Sequence, residues 1–188
     1  MNGSRGRNLE ERPDEMDDRP PGNSETRSAE QPSRKTMGAA LRILAARSCS
    51  EGELRERLTV KPWADSKIIE SCIARLKELG YVNDDLFAKS YASYRVGLKP
   101  LGRARLAREL AARKVSRNRI DTALELIFAD HAEETLIDRA IGRRVRTHGR
   151  PADRAAAKRM FDHLARLGFE YELISRKLRA LKADNEEE

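Results

Sequence analysis

Ten basic side chains are spaced as phosphate-recognising groups would be. Arg103, Arg105, Arg108, Lys114 and Arg117 fall in the stretch KPLGRARLARELAARKVSRNR (99–119), which holds eight Lys/Arg and a single acid, Glu109. Arg139, Arg143 and Arg146 recur at helical spacing, and Arg154 and Lys158 stand four apart. A guanidinium offers a planar fork of N–H donors and an ammonium a compact charge, and both pair with phosphate oxygens. At 100° per residue, Leu106 and Leu110 mark the inward side of a helix over 101–113. Arg105 and Arg108 then point outward, and Arg103 lies nearer the Leu110 side, snorkelling at the helix start. Lys114, Arg117 and Arg119 extend the outward face at the next corner. In a helix over 132–147, Leu136, Ala140, Ile141 and Val145 face inward and leave Arg139, Arg143 and Arg146 as an i, i+4, i+7 stripe. Arg154, Lys158 and Arg159 lie away from Met160 and Leu164. The corresponding earlier helix is mixed: Glu53, Arg55, Glu56, Arg57. A face that only solvates a helix mixes its signs in that way, so the single-sign stripes point to a polyanion. No helix start is rich in Asn, Gln and Arg, so phosphate contact is expected rather than base reading.

Catalysis finds no such constellation. His131, His148 and His163 are scattered among charged and loop residues, with no H-x-x-x-H pair and no Ser/His/Asp set. Asp84 and Asp85 read as helix-start residues favoured by the helix dipole. No Gly-rich loop ends in Lys-Ser/Thr. Cys49 and Cys72 lack metal-ligand spacing and lie near helical apolar faces, as reduced thiols in or near a core do. A non-enzymatic protein with no metal or cofactor is expected.

The elements that carry these residues are helices throughout. From Met37 there is no sustained apolar/polar alternation, and three apolar positions recur three times. Leu54, Leu58 and Ile68 are matched by Leu106, Leu110 and Ile120, then by Met160, Leu164 and Ile174. Each unit reads as three helices: about 37–47, 51–59 and 66–79; 84–96, 101–113 and 117–129; 132–147, 153–167 and 170–182. Ser50 with Glu53 forms a capping box. Asp65 or Ser66 caps the third helix, Asn83 or Asp84 the fourth and Ser116 the sixth. Gly80 and Gly168 are left-handed stops, and Gly149-Arg150-Pro151 is a break. Ile68, Cys72, Leu76 and Leu79 line one face, Ile120, Leu124 and Ile127 the next, and Ile174, Leu178 and Leu181 the last. Trp63, in the Lys-Pro-Trp turn, is expected to cap the first bundle. A unit of this size has a small core and gains from stacking on its neighbours. The expectation is an all-α chain, an elongated array of three tandem, helix-turn-helix-like three-helix bundles at 37–82, 83–130 and 131–183.

Composition sets off both ends. Residues 1–36 hold four of the seven prolines and little large apolar surface beyond Leu9 and Met16, too little to offset chain entropy, so this tail reads as disordered. It has no apolar core of a secretory signal and is too acidic for a transit peptide. The tail carries seven basic and eight acidic residues and the end 184–188 four acids, so residues 37–183 account for about +12 of a chain whose total is +7. A body this basic favours a polyanionic partner, nucleic acid first. No run of 18 apolar residues occurs, so no membrane span is expected.

Several motifs in order resemble one family. Arg47-Ser-Cys-Ser-Glu-Gly-Glu-Leu-Arg-Glu-Arg-Leu58, Leu76-Lys-Glu-Leu-Gly-Tyr-Val-Asn-Asp84, Phe87-Ala88, Gly102-Arg103 and Arg108-Glu109-Leu110 are similar to the bacterial RecX regulatory proteins. Arg143-Arg144, Gly149 and Leu164-Ala-Arg-Leu-Gly-Phe-Glu-Tyr-Glu-Leu-Ile174 extend the resemblance over about 37–182. It implies tandem three-helix repeats and a cytoplasmic, monomeric partner of the RecA filament on single-stranded DNA. It further implies limited RecA ATPase, strand exchange and co-protease activity, by a protein lying in or along the filament groove. Three positions depart from the pattern. Cys49 replaces an Arg between two serines, Asn83-Asp84 an Asp-Asp pair, and Lys114-Val115 a Gly-Ile pair. Lys at that left-handed stop costs up to ~1 kcal/mol relative to Gly. The ten basic residues are then candidates for contact with RecA or DNA. The rival is a free-standing, helix-turn-helix-like transcription regulator that binds duplex DNA without RecA.

Overall fold

The computed structural model describes residues 24–186, and these are helical throughout, apart from connecting turns. The helices are α1 (Ser24–Ala46), α2 (Glu51–Thr59), α3 (Ser66–Glu78), α4 (Asp84–Leu98), α5 (Arg103–Ala112), α6 (Arg117–Asp130), α7 (Glu133–His148), α8 (Arg154–Leu167) and α9 (Tyr171–Glu186). They pack by threes in chain order. Of the expected tail, residues 1–23 lie outside the described residues. The first helix begins at Ser24 rather than Met37. Within it Thr36 is fully buried, just ahead of Ala39 and Ala40. Small and polar residues that pack in this way leave no apolar periodicity in the sequence to mark the helix.

The local signals act largely as the residue types require. The Ser50 hydroxyl accepts from the Glu53 N–H at 3.1 Å, and the Asn83 side chain accepts from the N–H groups of Asp85 and Leu86. The other half of the capping box is replaced: the Glu53 carboxylate turns to Arg47 and Arg113 instead. Asp65 and Ser116 occupy N-cap positions without side-chain cap bonds. Gly80 and Gly168 have φ of +75° and +93°, and Lys114 takes φ +59° in the same left-handed role.

The repeated leucines and their partners fill the core. Leu54, Leu58, Leu106, Leu110, Met160 and Leu164 are buried, as are Ile120, Leu124, Ile127 and Ile174. Leu178 and Leu181 pack against that core while partly exposed. In α3 the buried face is Ile69, Cys72, Ile73 and Leu76, one position round from the expected line. Ile68 is only partly buried and Leu79, beyond the helix end, is half exposed. Trp63 is 37 % exposed rather than sealed beneath the first bundle. Both cysteines are free and buried, and burial pushes each thiol above its ordinary value. The first three helices enclose their own core, whereas α4–α9 share one that runs from Phe87 to Ile174.

One seam geometry joins successive units. The start of α2 meets the left-handed stop after α5, and the start of α5 meets the stop after α8. At the first seam the Ser50 hydroxyl donates to the Arg113 carbonyl, and a Cβ on Gly52 would lie 2.5 Å from the Lys114 Cβ. At the second, the Gly102 N–H donates to the Leu167 carbonyl at 2.9 Å and the Ala104 N–H to the Gly168 carbonyl at 3.2 Å. An acid in the first turn of the next unit completes each seam. Asp84 accepts from the Glu51 N–H at 2.7 Å, and Glu133 accepts from the Arg103 N–H at 3.0 Å. Each carboxylate satisfies a backbone donor that its partner helix leaves free and sits where the helix dipole favours an anion.

Candidate functional site

The ten basic residues separate into paired and unpaired sets. Arg103 is held: its guanidinium lies 4.8 Å from the Phe128 ring centroid in a cation–π contact. Arg105 bonds Glu109 at 3.0 Å with its side chain half exposed. Arg108 is exposed and reaches only the Ala104 carbonyl of its own helix, at 3.2 Å. Lys114 lies 3.7 Å from Glu56 across the first seam. Arg117 is almost fully exposed, with Asp121 at 3.8 Å. Arg119, which the sequence places on the same outward corner, is folded back onto Asp84 and Asp85.

Glu109, the lone acid of the basic stretch, is a hub. Arg95 reaches it at 2.7 and 2.9 Å, Arg105 at 3.0 Å and the Tyr91 hydroxyl at 3.3 Å. Burial alone would raise its carboxyl, but the hydrogen bonds from Arg95 and Arg105 outweigh this and hold it below the ordinary carboxylate range. At the first seam Arg113 lies between Glu53, at 3.1 Å, and the face of Tyr91. Arg95 and Arg113, the less exposed of these arginines, are structural, and the sequence alone does not separate them from their outward neighbours.

The third unit keeps its stripe clear. Arg139, Arg143 and Arg146 are exposed along one shallow groove on α7. Arg139 and Arg146 have no side-chain partner among the described residues, and Arg143 makes one long contact, 3.5 Å, to the Leu98 carbonyl. Asp138, at the edge of this groove, is drawn away by Lys177 at 2.7 Å. Lys158 bonds Asp162 on its own helix at 3.0 Å. Arg154 belongs to a different recess, beside Leu178 and Leu181. The stripe of α7 is thus the largest set of candidates brought together, and α8 does not extend it.

Sequence reasoning missed a second group of cations beside that stripe. Lys99, Arg143, Arg144, His148 and His163 border a recess between the α4–α5 link, α7 and α8. Residues 144 and 148 stand one turn apart on α7. Position 163 joins them only because α7 and α8 pack together, which no local spacing reveals. Among the described residues no group of His, Cys, Asp and Glu could hold a metal ion, and no helix is long and apolar enough to cross a membrane.

A chain of stacked three-helix units, with a stripe of arginines along one helix of its last unit, belongs to the class of helical-repeat proteins. Comparisons narrow the class. Residues 83–124 match the family model described as RecX, second three-helix domain. The regulatory protein RecX of Treponema pallidum (strain Nichols) is 34% identical over 124 residues, covering 65% of this chain and 75% of that protein. Its counterpart from Streptomyces coelicolor is 30% identical over 158 residues, 83% of this chain and 82% of that one. The crystal structure of RecX from Lactobacillus salivarius superposes with a TM-score of 0.72 at 19% identity, covering 82% of this chain and 99% of that chain; that likeness shows the fold. The chain belongs to the RecX family of regulatory proteins.

Proposed function

We propose that this protein is a non-enzymatic, cytoplasmic regulator that binds the RecA filament on single-stranded DNA and lowers its ATPase, strand-exchange and co-protease activities. Family membership carries the reading of the partner. Arg139, Arg143 and Arg146, which pair with no acid among the described residues, support with Arg108 and Arg117 a surface that meets filament phosphates or acidic side chains. Arg105, Lys114, Arg154 and Lys158 contribute charge from positions already shared with acids or separate from the stripe. Arg103 contributes least, because its guanidinium is spent on Phe128.

Single-stranded-DNA-dependent ATP hydrolysis by RecA, titrated with the full chain, tests the reading. Inhibition well below one protein per RecA is expected if the protein acts on filament ends or stability. No effect at excess protein would overturn the proposal. Sequence-selective duplex binding without RecA would then favour a transcription regulator.

A further inference from the structure

We propose that the recess bordered by Lys99, Arg143, Arg144, His148 and His163 is a docking site for a backbone phosphate of single-stranded DNA. The assignment goes beyond the filament reading, because it concerns a contact this chain makes with DNA in the absence of RecA.

Three observations carry it. First, the recess is concave, with a volume of about 300 Å³, room for one phosphate group and its first waters. Second, its charge is of one sign: five of its nine bordering residues are Lys, Arg or His and none is acidic. Several other surface cations are paired with acids, as in Arg176–Glu134, Lys177–Asp138, Lys158–Asp162 and Arg55–Glu70. Here Lys99, Arg144, His148 and His163 have no side-chain hydrogen bond or ion pair among the described residues. Gathering unpaired cations costs free energy that an arriving anion would return. Third, Arg143 borders both this recess and the groove that holds Arg139 and Arg146. The site therefore continues the α7 stripe, as a track for a multiply charged strand requires and a pocket for an isolated ion does not.

Proton linkage follows from the same geometry. The partly buried His163 faces Lys99 from the α4–α5 link, Arg143, Arg144 and His148 from α7, and Arg166 on its own helix. Asp162, its chain neighbour, is turned to Lys158. Burial first, then Arg144, Arg166 and His148, hold the imidazole below its ordinary value, which favours its neutral form. A docked phosphate offsets those cations and raises the imidazole. Binding then takes up protons, and affinity strengthens as pH falls through the histidine range.

The test uses the full chain without RecA. Oligo(dT) carrying a pH-insensitive fluorophore is titrated by anisotropy at pH 8 and pH 6, at fixed ionic strength. Histidine Cε1–H resonances are followed by NMR with and without oligo(dT), and separately with inorganic phosphate. The wild type is expected to bind several-fold tighter at pH 6 than at pH 8, with the His163 titration moved upward by oligo(dT). The double variant Lys99→Gln/Arg144→Gln, with unchanged circular dichroism, is expected to bind at least about tenfold more weakly, with a salt slope smaller by about 0.7–1.4. His163→Gln should flatten most of the pH response. Unchanged affinity in the double variant, or a His163 titration indifferent to oligo(dT), would overturn the assignment. A His163 shift with inorganic phosphate but not with oligo(dT) would also overturn it and leave a free-anion site. RecA ATPase assays on the same proteins keep the two readings apart. Inhibition retained when the DNA arm fails removes only the recess. A successful DNA arm without inhibition removes only the filament reading.

Discussion

Replacing Gly102 with Ala tests whether the seam between the second and third units is as tight as its backbone contacts imply. The conformation itself accepts Ala, since φ is −82° and ψ 166°. The space does not. A Cβ there would lie 2.4 Å from both the carbonyl carbon and oxygen of Gly168 and 2.5 Å from the Phe169 nitrogen. All three are backbone atoms that cannot rotate aside, so relief requires the start of α5 to retreat from the end of α8 by about 1 Å, given ordinary carbon contacts of 3.5 Å or more. That retreat breaks the bonds from Gly102 to Leu167 and from Ala104 to Gly168, each worth about 1 kcal/mol. Residual overpacking adds about 1–3 kcal/mol, and the stiffer unfolded chain returns about 0.5–1 kcal/mol. The expected loss is about 3 kcal/mol, or a urea midpoint lower by about 1–2 M at common slopes. Gly142→Ala is the control. It lies inside α7, where an added Cβ would come no nearer than 3.8 Å to the flexible end of Arg146, and a gain of about 0.5–1 kcal/mol is expected. Equilibrium urea unfolding of both full-length variants, followed by circular dichroism, decides. A Gly102→Ala protein within about 1 kcal/mol of the parent, below even the two lost bonds, would refute the rigid seam.

Lys114→Gly should stabilise the protein by up to ~1 kcal/mol in the same assay, because φ +59° strains any residue with a Cβ; the exposed, 3.7 Å pair with Glu56 that it removes is worth little. Glu109→Gln should cost about 1–2 kcal/mol at neutral pH through its charge-assisted bonds. Because the folded carboxyl is held below its ordinary value, that contribution is present above about pH 4.3 and is lost as pH falls through the lowered value. Urea curves of parent and variant should therefore converge on acidification, and a gap that widens would contradict the assigned role. Arg105→Glu/Arg108→Glu should weaken inhibition of RecA ATPase while leaving helicity intact, since both side chains are on the outer face; unchanged inhibition removes those two residues from the contact surface.

The helices were legible because their ends are written in local chemistry: Ser50 and Asn83 cap, Gly80 and Gly168 stop, and Leu54, Leu106 and Leu164 mark inward faces. The long start of α1 was not, because residues 24–35 (SETRSAEQPSRK) are charged, polar or small with a proline among them and carry no apolar stripe. Periodicity fixes a helical stripe only to within one position, so spacing points to Ile68, whereas packing of α1 and α2 on α3 buries Ile69. Of the candidate site, the α7 stripe was visible as single-sign spacing. The pairing of Arg105 with Glu109 and Arg119 with Asp84 depends on rotamers and on chain segments brought together by folding. The role of Asp84 as cap to a helix of the preceding unit, rather than to its own, is a tertiary fact with no local signature. The recess around His163 is hidden for the same reason.

The repeated seam also has a symmetry. Each unit offers the beginning of its middle helix and receives the end of the following unit's middle helix, so donor and acceptor surfaces differ. Such a head-to-tail relation is heterologous and, unlike a two-fold contact, need not close on itself. Inserting a duplicate of the middle unit would keep the Ser50–Arg113 and Gly102–Gly168 contacts at its two outer junctions and add one new junction, in which the start of α5 meets the left-handed stop after the second copy of α5. The chain's reach would grow by one step per unit while the charge on the final unit stayed at the end.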